Sequence, residues 1–568
     1  MVNDSAADGK VFDYVVIGAG VAGLYTAWRT AESMRSKRVA LFDAARGPGG
    51  RVASVVVPHV PFVAELGAMR FLAHHTRLFR LTQELGLPVR PFGFDNTAFF
   101  YLRGRCLPGD TFAGGRVWSR RTALPYAVDR AEHLNPFDLI TLAIRRALAT
   151  VRFITPTDAT KKLTHKLRKL EKDDEALAAT TFSTEEWELI KTDAQWDGAA
   201  LYDIGFWDLV HGQLSEEGYQ LAYDGSGYES ILSMWSAAEA IPWFLSDFST
   251  TGYQTLVGGM QRLTDSIYER YERLENATSS FGYSLRALWK EKDLFRLQFV
   301  NELGEPLPEV RATTVVLALP QKSLVQLNLQ GLKFTAKDDD RKAEAWFRMM
   351  LNGVTPKALL KLFLIYEEQW WDGPKGHRDL QSFRVITDQP LRQIYHFGPQ
   401  DQQGELLNER RERFRMVLAY SDSRFADYWK QLNESSAQDG PFVRRGVWKG
   451  LNRNEKKQLE DLLDTYGASY EVVKRANVQL ARVHGIPNVP DPCIALVRHW
   501  LDEPYFAGWH AWDMGVPSVA VAERLLKPFR DADVFICGEA FSANQGWIEG
   551  ALETAEKVVH MIATRHVD

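Results

Sequence analysis

Cysteine is scarce in this chain of 568 residues, which contains Cys106, Cys493 and Cys537 and no others. Their wide spacing matches neither a metal-binding motif nor a set of disulfides, so we expect no metal site and a reducing compartment. A run of about 18 apolar residues is also missing, and no transmembrane helix is expected. The opening residues MVNDSAADGK contain no apolar core of a secretory signal. A cytoplasmic protein without a membrane partner is therefore expected.

An excess of positive charge is missing as well. The 68 Lys and Arg residues are outnumbered by 73 Asp and Glu residues, and the formal net charge is −5. Nucleic acid is not expected as a partner, because phosphate binding favours a basic surface. We find no internal repeat, no low-complexity linker and no Ser/His/Asp set with a nucleophile elbow. The length instead indicates a globular chain of two or three domains.

The most informative segment that is present runs from Val11 to Asp43. An apolar strand leads into a G-x-G-x-x-G turn formed by Gly18, Gly20 and Gly23, a helix-compatible segment follows, and a second strand ends at Asp43. This pattern is typical of a βαβ unit that binds a dinucleotide. Gly18 permits the turn, Gly20 lets a pyrophosphate approach, and Gly23 lets helix and strand pack closely. Asp43 can accept hydrogen bonds from an adenosine ribose. This unit alone does not distinguish NAD from FAD.

Further motifs follow in order along the chain: PGGR ending at Arg51, ELGAMRF containing Arg70, GGM at 258–260 with a strand ending in LALP, and FICGE with NQGWIEGALETA near the C-terminus. In this order they resemble the flavin-dependent amine oxidase superfamily, and GAMR resembles its L-amino acid oxidase branch. The resemblance covers nearly the whole chain. It implies FAD as cofactor, and oxidative deamination of L-amino acids by O2 to 2-oxo acids, ammonia and hydrogen peroxide.

The expected fold is α/β with mixed α+β parts: a Rossmann-type FAD-binding domain, an interleaved mixed-sheet substrate domain and a helical insertion. The predicted division is 11–70, 249–330 and 481–568 for the FAD-binding domain, 71–125 and 331–480 for the substrate-binding domain, and 126–248 for the helical domain. The residues up to about 125 are interpreted as strands. Asn135 and Pro136 are expected to begin a helix. The oligomeric state stays open, although relatives are often homodimers.

The resemblance also implies which residues contact FAD. Asp43 stands where the family usually has Glu and offers the same acceptors, and Glu539 would hold the ribityl chain. Residues 505–512 correspond to the segment in which some amine oxidases tether the flavin through cysteine, and they contain none. FAD is therefore expected to be non-covalent. The other residues expected at the cofactor are Arg51, Gly67, Ala68, Met69, Gly538, Gly546, Trp547 and Ile548.

Arg70 is the residue that would separate amino acids from amines. A guanidinium supplies two parallel donors to a carboxylate. By the resemblance Arg70 holds the substrate carboxylate and Tyr420 donates a second hydrogen bond to it. Gly546 would hold the amine through its carbonyl, and Trp547 would cover it. Lys361 would position a water near flavin N5, and burial there would lower its pKa. The structural alternative for Arg70 is an ion pair with an acid on the sheet.

Three other functions stay open at this stage. One is a flavin monoamine or polyamine oxidase, one is an L-amino acid monooxygenase of the same fold, and one is an FAD-binding interaction protein without catalysis. The sequence does not indicate which side chain is accepted. Asp224 and Glu239, in the helical insertion, are acidic candidates for binding a basic side chain.

Overall fold

The structure of the protein is a computed structural model that describes residues 11–94, 97–109, 124–170, 177–248, 252–332, 340–371, 383–398 and 414–564. Its strands are β1 Val11–Ile17, β2 Val39–Asp43, β3 Ser54–Val56, β4 Val63–Glu65, β5 Phe71–Leu72, β6 Val89–Pro91, β7 Thr97–Leu102, β8 Arg105–Pro108, β9 Arg152–Phe153, β10 Ala194–Trp196, β11 Ala199–Ala200, β12 Tyr253–Leu256, β13 Ala277–Phe281, β14 Ser284–Glu291, β15 Leu294–Val300, β16 Val310–Leu317, β17 Asn328–Gln330, β18 Val354–Lys357, β19 Leu359–Tyr366, β20 Phe383–Thr387, β21 Gln393–Phe397, β22 Arg415–Asp422, β23 Ile494–His499, β24 Trp509–Trp512 and β25 Val534–Ile536. Its helices are α1 Val21–Ser33, α2 Thr76–Leu85, α3 Pro136–Thr150, α4 Asp158–Lys169, α5 Thr184–Asp193, α6 Phe206–His211, α7 Glu216–Gly225, α8 Ala237–Phe248, α9 Gln261–Glu272, α10 Gln321–Gln326, α11 Asp340–Leu351, α12 Ser423–Ser435, α13 Arg453–Tyr466, α14 Tyr470–His484, α15 Ser518–Leu525 and α16 Ile548–Thr564.

The first sheet is built around the N-terminal βαβ unit. β13, β2, β1 and β16 are parallel neighbours, and β25 returns from the C-terminal part of the chain to pair in parallel with β16. Alternate residues of β1 enter different cores, with Val15 on one face and Val16 on the other. A parallel sheet covered on both faces needs such continuous apolar strands. The predicted strand–helix–strand unit and the returning strand are both confirmed.

The second sheet has the order β23-β19-β22-β21-β20-β7-β8 and is antiparallel except between β20 and β7. β19 lies inside this sheet, and apart from the half-buried Leu359 its residues are buried. Strand β23 pairs with β19, although the sequence analysis assigned residues from 481 onward to the FAD-binding domain. The strand pairing therefore favours a boundary after His499, because a strand belongs with the sheet whose hydrogen bonds it completes.

The insertion between the two sheets is mainly helical, as expected. Helices α3 to α8 and the small sheet β9–β11 share one apolar core with residues such as Leu139, Phe206 and Phe244. The side chain of Asn135 accepts hydrogen bonds from the N–H groups of Phe137 and Asp138, and Pro136 is the first residue of α3. The predicted start of this helix is confirmed.

One part of the region expected to be all strands is a helix. α2 occupies Thr76–Leu85 and buries Leu78 and Leu81 in the core around α1. Its C-cap is Gly86, with φ of 68°. Two features of this segment favour a helix: apolar residues spaced three apart, and a glycine in the left-handed region at the C-terminus. They decide the local structure in spite of the strand pattern of the neighbouring residues.

Within the described ranges, no helix is both long enough and apolar enough to cross a membrane. The same residues contain no cluster of three or more His, Cys, Asp or Glu side chains that could hold a metal ion.

Candidate active site

A cavity of about 340 Å³ lies where the two sheets and the helical part meet. Residues of the β1–α1 turn, the end of β2 and the loop after β2 form what we call its glycine-rich end: Gly18, Gly20, Asp43, Gly49 and Gly50. Residues from the second sheet, the helical part and the C-terminal loops form what we call its aromatic end: Tyr228, Trp243, Tyr420, Trp509 and Trp547. All predicted site residues except Gly23 line this cavity. Their individual roles remain predictions.

The three motif glycines occupy different surroundings. Gly18 has φ of +104°, which favours glycine, and a Cβ there would collide with the Ala318 carbonyl. A Cβ on Gly23 would collide with the Gly18 carbonyl, so Gly23 allows close packing instead of lining the cavity. A Cβ on Gly20 would meet no protein atom nearer than the Cα of Gly50, at 3.8 Å. Gly20 therefore leaves open space at the cavity wall, as the approach of a pyrophosphate requires.

The N-terminus of α1 is available to a phosphate. Its N-cap, Gly20, makes no side-chain cap hydrogen bond, and its first turn contains no acidic residue. Val21 and Ala22 of this turn line the cavity. A helix N-terminus presents free N–H groups and a partial positive charge, both of which favour an anion. This end of the cavity therefore fits the pyrophosphate of a dinucleotide.

Asp43 lies beside this N-terminus. Its carboxylate accepts hydrogen bonds from the backbone N–H groups of Ala19 and, at 2.6 Å, Ala45. Burial raises the pKa of Asp43, and the two N–H groups oppose that shift. Each carboxylate oxygen can accept more than one hydrogen bond. Both oxygens therefore keep the capacity to accept from a ribose, and the ribose contact of Asp43 stays a prediction.

Glu539 is held by a buried polar network. One oxygen is 2.7 Å from Nη1 of Arg51 and 2.9 Å from Nδ1 of His510, and the other accepts the N–H groups of His510 and Gly546. Burial alone would raise the pKa of Glu539, but Arg51 and the other donors hold it well below its ordinary value. Glu539 thus joins Arg51 to the loop that contains Gly546. Its predicted contact with a ribityl chain stays a prediction.

Arg70 is buried at the aromatic end, with 6% of its surface exposed. Its guanidinium donates to the hydroxyls of Tyr395 at 3.2 Å and Tyr228 at 3.3 Å. It also lies 3.8 Å from the ring centroid of Tyr253. Among the described residues no carboxylate forms an ion pair with Arg70. The alternative of a structural ion pair on the sheet is therefore wrong for this part of the chain.

Lys361 and Tyr420 lie opposite each other on β19 and β22. The Lys361 ammonium nitrogen is 5.3 Å from the Tyr420 ring centroid and donates to the carbonyl oxygens of Glu65, at 2.9 Å, and Gly67. Burial lowers the pKa of Lys361, partly offset by Glu65, and burial raises the pKa of the Glu65 carboxyl. The expected shift of the Lys361 pKa is confirmed. A lysine that titrates near neutral pH can hold or release a proton in the cavity.

The backbone of Gly67, Ala68 and Met69 is fixed against the Arg51 loop. The Gly67 N–H donates to the Ala53 carbonyl and the Ala68 N–H donates to the Arg51 carbonyl, both at 3.1 Å. Trp547 makes an edge contact with His75, and its ring centroid is 6.4 Å from that of Trp243. Cys106, Cys493 and Cys537 are all absent from the described residues of the cavity wall.

The cavity wall also contains side chains that were not predicted as site residues, among them Tyr228, Trp243, Asp247 and Trp509. Trp243 and Asp247 lie four residues apart on α8, so one helix face carries both. An acid on the apolar face of a helix was the available signal. The two acidic candidates lie elsewhere: Asp224 accepts a hydrogen bond from the Tyr126 hydroxyl at 2.7 Å, and Glu239 pairs with Lys191 at 2.6 Å.

Comparisons with known proteins agree with this geometry. Residues 16–85 match the family of NAD(P)-binding Rossmann-like domains. An L-amino-acid oxidase of Siganus canaliculatus is 22% identical over 95% of this chain and 83% of its own length. An uncharacterized protein of Acanthamoeba polyphaga mimivirus is 22% identical over 96% of this chain and 93% of its own length. A flavin-containing amine oxidase A of Bos taurus is 32% identical, over 21% of this chain and 22% of its own length.

Solved structures show the same fold. Cyclohexylamine oxidase from Brevibacterium oxydans superposes with a TM-score of 0.63 at 13% identity, covering 98% of this chain and 100% of its own. A redesigned triple mutant of putrescine oxidase superposes with a TM-score of 0.55 at 15% identity, covering 98% of this chain and 99% of its own. The Rossmann-like unit fits FAD, the cofactor of this type of oxidase. The chain therefore has the fold of these oxidases and a Rossmann-like dinucleotide-binding unit, and it is similar in sequence to an L-amino-acid oxidase and to flavin-containing amine oxidases, which leaves its substrate class undefined.

Proposed function

We propose that the protein catalyses the FAD-dependent oxidative deamination of L-amino acids, giving a 2-oxo acid, ammonia and hydrogen peroxide. The observation that carries this proposal is Arg70. It is a buried guanidinium on the cavity wall, held by tyrosine hydroxyls and without an ion-pair partner among the described residues.

A buried cation is costly unless an anion or several hydrogen-bond acceptors compensate it. Tyr228 and Tyr395 accept from two of the five guanidinium N–H donors, and the Tyr253 ring supplies a cation–π contact. A substrate carboxylate would complete this set with two parallel hydrogen bonds. An amine without a carboxylate would leave Arg70 with only the nearby charge of Asp247 and no directly bonded anion, so the arrangement supports an amino acid substrate.

The other residues would fix the remaining groups of the substrate. The Tyr420 hydroxyl, whose pKa burial raises well above its usual range, stays a hydrogen-bond donor toward the carboxylate. Gly546 would accept from the amine through its carbonyl, and Trp547 would exclude water from it. Holding both groups aims the Cα–H in one direction, which is catalysis by orientation and favours one enantiomer, the L form.

Gly18, Gly20 and Asp43 would hold FAD non-covalently, and when bound it would supply the two-electron oxidation of the substrate Cα–N bond with O2 as the final electron acceptor. Loss of the hydride from a neutral amine leaves an imino acid, and water converts this to the 2-oxo acid and ammonia. The aromatic walls favour the neutral amine, because they disfavour a charge. Lys361, with its lowered pKa, would hold a proton beside the reacting atoms when charged and accept one when neutral.

Substitution of Arg70 tests the proposal. Each variant is assayed by peroxide release with L-norleucine and with pentylamine, which is the same molecule without the carboxylate. Arg70→Ala should lower kcat/KM for L-norleucine by about 100- to 1,000-fold, and Arg70→Lys by about 10- to 100-fold, since a lost partner of a buried charged hydrogen bond costs about 2–5 kcal/mol. Rates with pentylamine should change little. An unchanged rate with L-norleucine in Arg70→Ala would contradict the proposal.

Arg392→Lys is the matched control. Arg392 is also buried, and it donates to the carbonyls of Thr387 and Tyr223 outside the cavity wall. Its replacement should leave the ratio of kcat/KM for L-norleucine to kcat/KM for pentylamine unchanged.

A second candidate function is the oxidation of simple amines. It is supported by the relatives and solved structures whose names are amine oxidases. The same two substrates separate the candidates, because an amine oxidase would use pentylamine at least as well as L-norleucine.

A further inference from the structure

We propose that the preferred substrate is an L-amino acid whose side chain ends in a cation, an ammonium or a guanidinium, and that Asp247 and Trp243 of α8 bind this cation. This inference rests on the proposed function and specifies its substrate class. It places a second charge-binding subsite in the cavity, separate from the carboxylate subsite of Arg70.

Asp247 is a buried acid on the cavity wall. Its exposed fraction is 3%, and it lines the same cavity as Arg70. One carboxylate oxygen accepts the Tyr253 hydroxyl at 2.6 Å, and within the described residues the other oxygen makes no hydrogen bond. Burial raises the pKa of Asp247, and the charge of Arg70 opposes that shift. A buried carboxylate with a free oxygen is ready to accept a charged donor.

Tyr253 separates the two charges. The guanidinium of Arg70 lies over the Tyr253 ring, and Asp247 binds the hydroxyl at the edge of that ring. Arg70 and Asp247 therefore make no direct ion pair and present opposite charges at different points of one cavity. An amino acid with a cationic side chain carries the complementary pair, an α-carboxylate and a distal positive charge.

The tryptophans beside Asp247 also favour a cation. Trp243 lies one helical turn before Asp247 on α8 and stacks on Trp509 with a centroid distance of 5.8 Å and an interplanar angle of 14°. Its indole N–H donates to the Gln545 carbonyl at 2.8 Å, which fixes the ring. The faces of tryptophan rings attract ammonium and guanidinium groups. A carboxylate and fixed indole rings on one wall form a cation subsite.

The other carboxylates of the cavity wall either have protein partners or are exposed to solvent. Asp43 is bound to backbone N–H groups at the glycine-rich end, and Glu539 is bound to Arg51, His510 and Gly546. Glu503 is exposed to solvent. Among the described residues of the cavity wall, Asp247 is thus the buried carboxylate with an oxygen that can accept a hydrogen bond from a ligand.

The test compares L-lysine with L-norleucine, which has the same carbon chain without the ammonium, in the holoenzyme and in Asp247→Asn. The wild type should prefer L-lysine. Asp247→Asn should lower kcat/KM for L-lysine by about 10- to 100-fold more than kcat/KM for L-norleucine, as expected for a lost charged hydrogen bond. Retained turnover of L-norleucine also shows that the variant is folded.

Binding without turnover gives a second measurement. 6-Aminohexanoate carries a carboxylate and a distal ammonium but no α-amine, and hexanoate lacks the ammonium. As competitive inhibitors of L-norleucine oxidation, 6-aminohexanoate should bind about 10-fold more tightly than hexanoate to the wild type and equally tightly to Asp247→Asn. Asp224→Asn is the matched control, because Asp224 bonds to Tyr126 outside the cavity wall, and it should leave both ratios unchanged.

The outcomes separate this inference from the proposed function. A wild type that prefers L-norleucine, or an Asp247→Asn variant that changes both substrates equally, overturns the cation subsite while amino acid oxidation stands. The equal change would mean that Asp247 only balances the charge of Arg70. A wild type that oxidises cadaverine and neither amino acid overturns both.

Discussion

The two ends of the cavity are built by different means. The glycine-rich end consists mainly of backbone from one continuous segment, in which Gly18, Gly20 and Asp43 lie within 26 residues of each other along the chain. The aromatic end consists of side chains from distant segments, with Arg70, Tyr228, Tyr420 and Trp547 arriving from separate elements. We therefore expect the cofactor subsite at the glycine-rich end to depend on local geometry. Substrate choice at the aromatic end should depend on the relative placement of the sheets and the helical part.

The first prediction breaks the glycine-rich end and has the largest expected effect. Gly20→Val should fold, because a Cβ there meets no protein atom within 3.7 Å, but the side chain would fill the space next to the α1 N-terminus. We expect the purified protein to carry less than about a tenth of the flavin of the wild type, measured as the ratio of absorbance at 450 nm to that at 280 nm, since the pyrophosphate needs close approach to this backbone.

Gly47→Val is the control for this variant. Gly47 belongs to the loop between β2 and β3, and a Cβ there would meet no atom within 4 Å. It should keep its flavin. A Gly20→Val protein with full flavin content would show that the dinucleotide lies elsewhere.

The second prediction concerns Lys361, which lines the cavity and pairs with Tyr420 across β19 and β22. Burial lowers its pKa, so the neutral amine becomes the main form well below pH 10.5, the ordinary lysine value. If neutral Lys361 accepts a proton during turnover, kcat rises with pH through this lowered pKa. Lys361→Met should lose this rising limb and at least about 100-fold of the rate, the lower end of the usual range for a proton-transfer residue.

Lys357→Met is the matched control. Lys357 is also largely buried with a lowered pKa, but it bonds to Ser233 and is not among the described residues of the cavity wall. The pH profile of this variant should match that of the wild type. A rising limb that survives in Lys361→Met would assign it to another group.

The third prediction sharpens the aromatic end and has the smallest effect. Tyr228→Phe removes a hydroxyl to which Arg70 donates at 3.3 Å. We expect kcat/KM for L-norleucine to fall by about 3- to 10-fold, corresponding to about 0.5–1.5 kcal/mol for one hydrogen bond, with no change for pentylamine. Tyr268→Phe, in α9 and outside the described cavity wall, should change neither rate. Equal losses with both substrates would mean that Tyr228 only supports the fold.

The difference between the two ends of the cavity also explains which site residues could be predicted from the sequence alone. Gly18, Gly20, Gly23 and Asp43 are related by short spacings that a βαβ unit imposes, so their arrangement could be predicted from the residues alone. Arg70, Lys361 and Tyr420 were found through a resemblance, because no local pattern joins residues hundreds of positions apart. Their placement around one cavity agrees with that expectation.

The remaining features depend on tertiary packing. The local sequence does not distinguish Asp247 from other acids of the insertion, because only the packing of α8 places it on the cavity wall. Asp224 and Glu239, in the same insertion, bond to Tyr126 and Lys191 instead. The Arg51–Glu539 pair links residues 488 positions apart. Burial and pairing of this kind follow from how the helical part and the C-terminal loops pack, and no spacing rule encodes them.

We propose that the aromatic end of the cavity selects for a carboxylate through Arg70. The most direct measurement is the wild-type kcat/KM for peroxide formation with L-norleucine and with pentylamine under identical conditions. We predict that kcat/KM for L-norleucine exceeds kcat/KM for pentylamine by at least about 100-fold. This ratio corresponds to roughly 2.7 kcal/mol of carboxylate binding in the transition state. An amine that is oxidised as well as, or better than, the amino acid would contradict it.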